Sequence, residues 1–426
     1  MKKVLLILYY WPPAGGPGVQ RWLKFVKYFK EFDIEPILYI PSNPHYPLRD
    51  ASLINEVPAD LKIYSQPINE PYRWASKLSK KKTNDLSSGV VGAKNKSLLS
   101  KLMLFIRGNF FIPDARKSWV KPSISYLKKV LEKEGIDTVI TTGPPHSLHL
   151  IGMGLQKASK IKWLADFRDP WTSIHYQDKL YMSEWANRKH KRLESKVLNA
   201  ANVICVTSPS TKSSFQRITS KPILLITNGF DTEVETSVAL DSHFSLTHIG
   251  SLLSQRNPKM LWSVLKDLCE EESGFKEDLK LIFVGKTDPQ IIEQLSDFNL
   301  EANFENVGYV SHQEAIKYQK KTQILLLIES FDSNVAQIIP GKLFEYLSAN
   351  RPIIAIGPES WDVDQLLADS NAGTAYALDD TNSLKNDILT YYRLYKRGDL
   401  HIDSSGIEAY HRRALTEKMS KILWEL

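Results

Sequence analysis

Ile324-Leu325-Leu326-Leu327-Ile328 leads through Pro340-Gly341 into Lys342-Leu343-Phe344-Glu345-Tyr346-Leu347 and returns to Pro352-Ile353-Ile354-Ala355-Ile356. The two flanking runs are apolar without alternation, as strands buried on both faces must be. Between them, Leu343, Phe344, Tyr346 and Leu347 follow helical spacing. A strand, a helix and a second strand within 33 residues predict a right-handed crossover and hence a parallel sheet.

The same unit recurs outward in both directions. Apolar runs at 245–249 and 280–284 alternate with helical stretches near 258–271, 312–319 and 362–368. The first half repeats the pattern, with strands expected at 4–8, 36–40, 62–64, 138–141, 162–165 and 203–206. Helices are expected at 19–31, 123–133, 147–157 and 179–199, the first with Trp22, Phe25, Val26 and Phe29 on one face. The expectation is an α/β protein with two Rossmann-like, doubly wound domains facing a cleft.

Composition agrees with this scale. The 426 residues are 42% hydrophobic, 24% charged and 10% aromatic, which excludes disordered, collagen-like and disulfide-scaffold proteins. Cys205 and Cys269 form no zinc or redox motif, so a reduced cytoplasmic chain is the simplest reading. No apolar run reaches the roughly 18–20 residues of a spanning helix. Residues 4–11 follow Lys2-Lys3 but lead into Pro12-Pro13-Ala14-Gly15-Gly16, so they read as a buried first strand rather than a signal peptide.

Charge divides the chain. Residues 1–221 hold 36 Lys or Arg against 17 Asp or Glu, whereas residues 222–426 hold 19 against 31. We therefore expect domains at 1–221 and 222–406, with the last helix, 407–426, able to pack back on the first. Residues 72–121 carry 12 basic and two acidic residues, and residues 98–112 are apolar but broken by Lys101, Arg107, Gly108 and Asn109. That stretch suits an anionic membrane surface on the cytoplasmic side. No nucleic-acid fold signature accompanies it.

Five segments carry candidate chemistry. The glycine loop ending Gly15-Gly16-Pro17-Gly18 precedes a helix and suits an anion, though the third glycine of a dinucleotide fingerprint is missing. Asp166-Phe167-Arg168-Asp169 ends a strand; it reads as a site or, equally, as a structural ion pair. His146 starts a helix, where it serves as an acid/base or sugar ligand or simply as structure. Gly250-Ser251 leads to Arg256-Asn257-Pro258 and the next helix. Lys342 after Gly341 opposes the helix dipole unless an anion lies between. Glu345, three residues on, is placed to accept a diol. No His, Asp or Glu cluster has metal spacing, so no metal is expected.

From these residues the chain resembles family 4 of the glycosyltransferases, retaining nucleotide-sugar enzymes of GT-B fold, in the style of bacterial surface-polysaccharide enzymes. Gly250 with Arg256-Asn257-Pro258, Phe283-Val284-Gly285, Val307-Gly308-Tyr309-Val310 and Lys342 to Leu347 follow the family's order. Asn228-Gly229-Phe230-Asp231 resembles its interdomain turn. The resemblance implies a nucleotide-diphosphate sugar as donor, no cofactor, and a glycan or lipid-linked acceptor. It implies that Gly16 approaches the diphosphate, that Arg256 and Lys342 neutralise it, and that Glu345 holds the ribose. Gly250, Ser251, Asn257, Gln337 and Gly341 complete the implied donor site. Ser251 stands where the family has a basic residue, and Gln337 replaces the first Glu of its Glu-x7-Glu pattern. Arg168 falls where many members have a histidine beside the sugar; with Asp169, Arg256 and Lys342 it makes the candidate catalytic set. His146 and Asp166 are the acceptor-side candidates. A nucleotide-sugar 2-epimerase and a two-lobed nicotinamide dehydrogenase remain as alternatives.

Overall fold

The computed structural model describes residues 1–70, 98–173, 180–231 and 238–426. The chain forms two compact units, Met1–Asn228 with Arg412–Leu426, and Gly229–His411.

The first unit runs β1 (Lys2–Ile7), α1 (Pro17–Phe29), β2 (Ile34–Pro41), β3 (Lys62–Gln66), α2 (Leu98–Phe110), α3 (Val120–Glu134), β4 (Thr138–Gly143), α4 (Ser147–Ala158), β5 (Lys162–Phe167), α5 (Glu184–Ala200), β6 (Val203–Val206), α6 (Pro209–Gln216) and β7 (Ile223–Leu225). Its sheet is parallel, in the order β3-β2-β1-β4-β5-β6-β7. The period of two along β1 divides the core. Leu5 and Ile7 join a cluster with Leu127 of α3 and Leu148 and Ile151 of α4. Val4 and Leu6 join Trp22, Phe25, Val26 and Phe29 of α1 on the other face.

The second unit runs β8 (Phe244–Ile249), α7 (Lys259–Glu271), α8 (Phe275–Asp278), β9 (Leu279–Val284), α9 (Pro289–Leu295), β10 (Phe304–Gly308), α10 (His312–Lys321), β11 (Ile324–Ile328), α11 (Lys342–Ser348), β12 (Ile353–Ile356), α12 (Asp362–Asp369), β13 (Gly373–Tyr376) and α13 (Thr381–Arg397). Its sheet is parallel too, ordered β10-β9-β8-β11-β12-β13. In β11, Ile324, Leu326 and Ile328 face the cluster that includes Leu261 and Leu265 of α7. Leu325 and Leu327 face Leu343, Phe344, Tyr346 and Leu347 of α11. The final helix, α14 (Arg412–Glu425), belongs to the first unit, where Leu415, Met419 and Leu423 pack beside Val4 and Leu6.

Both units are Rossmann-like and doubly wound. In each, strand order reverses beside the first strand, between β1 and β4 and between β8 and β11. Open parallel sheets bind ligands outside the carboxyl ends of strands at such points.

Candidate functional site

In the second unit, the loops after β8, β9 and β11 converge. Gly250 follows β8 with φ 120, a conformation that favours glycine. Gly285 follows β9 with φ 128, and a β-carbon there would lie 2.4 Å from the Gly250 carbonyl oxygen. Glycine at both positions lets the two loops touch. A β-carbon on Gly250 would also stand 3.1 Å from Nζ of Lys342. That ammonium donates to the Ile249 carbonyl at 3.0 Å. Tyr346, one turn further along α11, accepts from the Ile249 backbone N–H at 3.0 Å and fixes the helix against the end of β8.

Burial lowers the Lys342 pKa to about 8; the Arg256 charge pushes the same way, and Glu329 and Glu345 oppose it. Arg256 ends the short turn Ser254–Arg256, with its Nε 2.6 Å from Oε1 of Glu329. Two cations thus gather at the glycine loop, with the Glu329 carboxylate acting on both. Glu345 is half-buried on α11, and its Oε2 accepts from Gln319 Nε2 at 3.2 Å. Ser251 is exposed at the loop, and Gln337 is half-buried. Gly341 has φ −58, ordinary right-handed backbone.

One expected donor residue has another task. Asn257 donates to Gln294 Oε1 at 2.6 Å and accepts from Trp262 Nε1 at 2.7 Å. Both ends of its amide are engaged in pinning the start of α7 to α9.

In the first unit, Gly16 caps α1 with φ 95. A β-carbon on Gly18 would stand 3.2 Å from the guanidinium carbon of Arg168, which lies over the glycine loop. Arg168 also donates to Thr142 Oγ1 at 3.3 Å and to the Pro144 carbonyl. Asp169, half-buried beside it, acts on Arg168 by its charge.

Asp166, an acceptor-side candidate, is tied into the fold. Its carboxylate is fully buried and accepts from Arg21 Nη2 at 2.9 Å, Trp22 Nε1 at 3.0 Å and Thr142 Oγ1 at 2.7 Å. Burial acts to raise its pKa, but the Arg21 charge and these donors hold it below the ordinary value.

His146 is buried and stacked on Trp171, with centroids 4.7 Å apart. Neither ring nitrogen has a hydrogen-bond partner among the described residues. Burial, then the charges of His149 and Arg168, hold its pKa well below the usual range, so the ring is neutral. It lines a pocket with Arg107, Asp114, Pro144, Leu180 and His190.

Sequence reasoning missed Glu329, Gln319, Arg21 and His190. Glu329 carried a signal, a charge directly following the apolar run of β11. The others act through partners distant in sequence. Among the described residues, no group of three His, Cys, Asp or Glu side chains is placed to hold a metal, and no helix is long and apolar enough to cross a membrane. The basic stretch 72–121 enters the description only from residue 98; residues 72–97 lie outside the described residues.

Residues 96–234 match the model of Glycosyltransferase Family 4. No curated protein matches the sequence. Similar solved structures include sucrose-phosphate synthase from Thermosynechococcus elongatus, at 13% identity and TM-score 0.61 over 100% of this chain and 99% of that one. The lipopolysaccharide outer core galactosyltransferase WaaB aligns at 13% identity and TM-score 0.60, over all of both chains. Anabaena HepE, solved with UDP and glucose, aligns at 12% identity and TM-score 0.59, again over all of both chains. The family model thus covers residues 96–234 of the 426, and the likeness to these solved structures, over the whole chain at 13% identity or less, is one of fold: the two-domain GT-B architecture.

Proposed function

We propose that the protein is a retaining, metal-independent glycosyltransferase that moves a sugar from a nucleotide-diphosphate donor to a glycan or lipid-linked acceptor in cell-surface polysaccharide synthesis. The observation that carries this reading is Lys342 Nζ packed against Gly250, with Arg256 nearby. These side chains offer positive charge where backbone is bare enough for a diphosphate to approach. As the glycosidic bond to the sugar breaks, negative charge grows on the departing phosphate oxygen. Lys342 and Arg256 are already in place to stabilise it, the kind of preorganised electrostatics that contributes most to many enzymes. Glu345 accepts the ribose hydroxyls, trading its bond from Gln319. In the retaining path, the acceptor hydroxyl attacks on the face that the phosphate leaves. The phosphate oxygen takes the acceptor proton, so no enzymic base is required. HepE, solved with UDP-glucose, supports a uridine diphosphate sugar as the first donor to try.

The 2-epimerase alternative loses ground, because the Asp166 carboxylate it would use is committed to Arg21. The deciding experiment incubates the protein with a panel of nucleotide sugars and acceptors, with and without EDTA, and follows nucleoside diphosphate release and the anomeric configuration of the product by NMR. Release with retained configuration in EDTA supports the reading. An inverted product, or activity lost to EDTA and restored by a divalent ion, overturns the corresponding part.

A further inference from the structure

Helix α2 meets the segment that leads into α5, residues 180–183, in the first unit. Asn109 of α2 accepts from the Ser183 backbone N–H at 2.8 Å and donates to the Tyr181 carbonyl at 3.1 Å. Gly108 permits this approach, since a β-carbon there would lie 2.7 Å from the Leu180 carbonyl. Around the junction, Leu102, Phe105, Ile106 and Phe110 of α2 are exposed, as are Tyr181 and Trp185. Trp185 and Phe110 are more than half exposed, at 56% and 63%. A soluble surface gains nothing from so many large apolar groups side by side.

Cations interleave with them. On α5, Trp185, Arg188, Lys189, Arg192 and Lys196 fall at i, i+3, i+4, i+7 and i+11, one exposed stripe, while Ala186, His190, Val197 and Leu198 are buried opposite. Lys189 Nζ sits 4.6 Å over the Trp185 ring, and Lys117 Nζ sits 5.3 Å over the Phe111 ring. Residues 98–118 and 180–196 together hold nine Lys or Arg against three Asp or Glu. Two of those acids are already engaged: Asp114 caps Ser147, and Glu194 is buried and accepts from Thr172.

We infer that this α2–α5 face docks on an anionic lipid surface. Aliphatic and aromatic side chains flanked by lysines and arginines are the composition of an interfacial helix face. Tyr and Trp favour the headgroup level, and long cationic stems reach from there to lipid phosphates. Leu102 and Ile106 suit hydrocarbon and have nothing to offer a nucleobase. The Trp185 ring, which a base would stack on, already carries Lys189. The pocket holding His146 shares Arg107, Gly108 and Leu180 with this face. Docking would therefore bring that pocket to the bilayer surface, where the lipid-linked acceptor of the proposed function resides. Docking does not depend on the donor site and stands or falls separately from it.

The test is flotation of the full chain with phosphatidylcholine vesicles and with mixed phosphatidylglycerol–phosphatidylcholine vesicles. Binding to the anionic vesicles alone, lost in high salt, is expected. Arg188→Glu with Lys189→Glu should weaken it by about tenfold or more, given the contribution of each cation near such a surface. Phe105→Ser with Phe110→Ser and Trp185→Ser should abolish it. Both variants should keep parental nucleoside diphosphate affinity, which reports the intact second unit, and parental circular dichroism, which reports the fold. No flotation with either vesicle, equal flotation with both, parental flotation of both variants, or single-stranded RNA bound in place of anionic vesicles would each overturn the inference. Normal flotation with no glycosyl transfer would instead fault the proposed function.

Discussion

Lys342 and Gly250 are matched: the ammonium occupies the space a β-carbon on Gly250 would press against, at 3.1 Å. Gly250→Ala should therefore do two things. The backbone at φ 120 resists an L side chain, at a cost of about 1–3 kcal/mol. The new methyl also displaces Lys342. A lowered Tm together with nucleoside diphosphate affinity reduced about tenfold, by calorimetry, is expected; unchanged affinity would separate Lys342 from the donor. Lys342→Ala should cost binding about 2–5 kcal/mol, the range for removing one member of a desolvated charge pair.

Donor affinity should fall in alkaline solution. Lys342 titrates at about 8 in the free protein, and a bound diphosphate favours its charged form. Affinity is then level below pH 8 and declines above it, by up to about tenfold per pH unit until the bound lysine itself deprotonates. Diphosphate oxygens are already ionised in that range, as phosphate groups titrate near about 6. Calorimetry between pH 7.5 and 9.5 reads the decline, and Lys342→Arg should flatten it.

Glu329 competes with the donor for Arg256. Glu329→Gln removes a negative charge 2.6 Å from the guanidinium and should strengthen nucleoside diphosphate binding several-fold. Because Glu329 also helps keep Lys342 protonated, the alkaline decline should begin at lower pH in this variant. Weaker binding with an unmoved pH profile would assign Glu329 a purely structural role.

Asp166→Asn should be a stability variant. It leaves Arg21 buried without its counter-charge, a loss of about 3–5 kcal/mol, measurable by urea denaturation. The native Asp166 pKa is depressed, so its contribution is present above the ordinary carboxyl range and is lost as pH falls through the native value.

The interior of both sheets was legible from the chain alone. Strands such as Ile324–Ile328 are apolar throughout because both faces are covered, and no other element produces so short and pure a run. The edges were not. β10, Phe304-Glu305-Asn306-Val307-Gly308, and β13, Gly373-Thr374-Ala375-Tyr376, are polar or small because each has one free margin. β7 is only three residues long. The same division holds at the site. Gly250 and Arg256 lie on a loop and a turn, and Lys342 and Glu345 on the first turn of α11, all of which announce themselves by glycine, proline and charge. Their partners do not, because pairing is decided by the fold. Arg21 and Asp166 stand 145 positions apart, and the bonds of Asn257 to Gln294 and Trp262 join residues 37 and 5 positions away.

α14 has a consequence for the order in which the protein is made. Leu415, Met419 and Leu423 complete the core around Val4 and Leu6, and Lys2 donates to the carbonyl of Leu423. The second unit, whose residues are contiguous, is therefore translated in full before the last element of the first. During most of synthesis, β1 is exposed on one side to a partner still untranslated. A chain truncated after His411 should show a protease-resistant 229–411 fragment beside a first unit that is still open to cleavage.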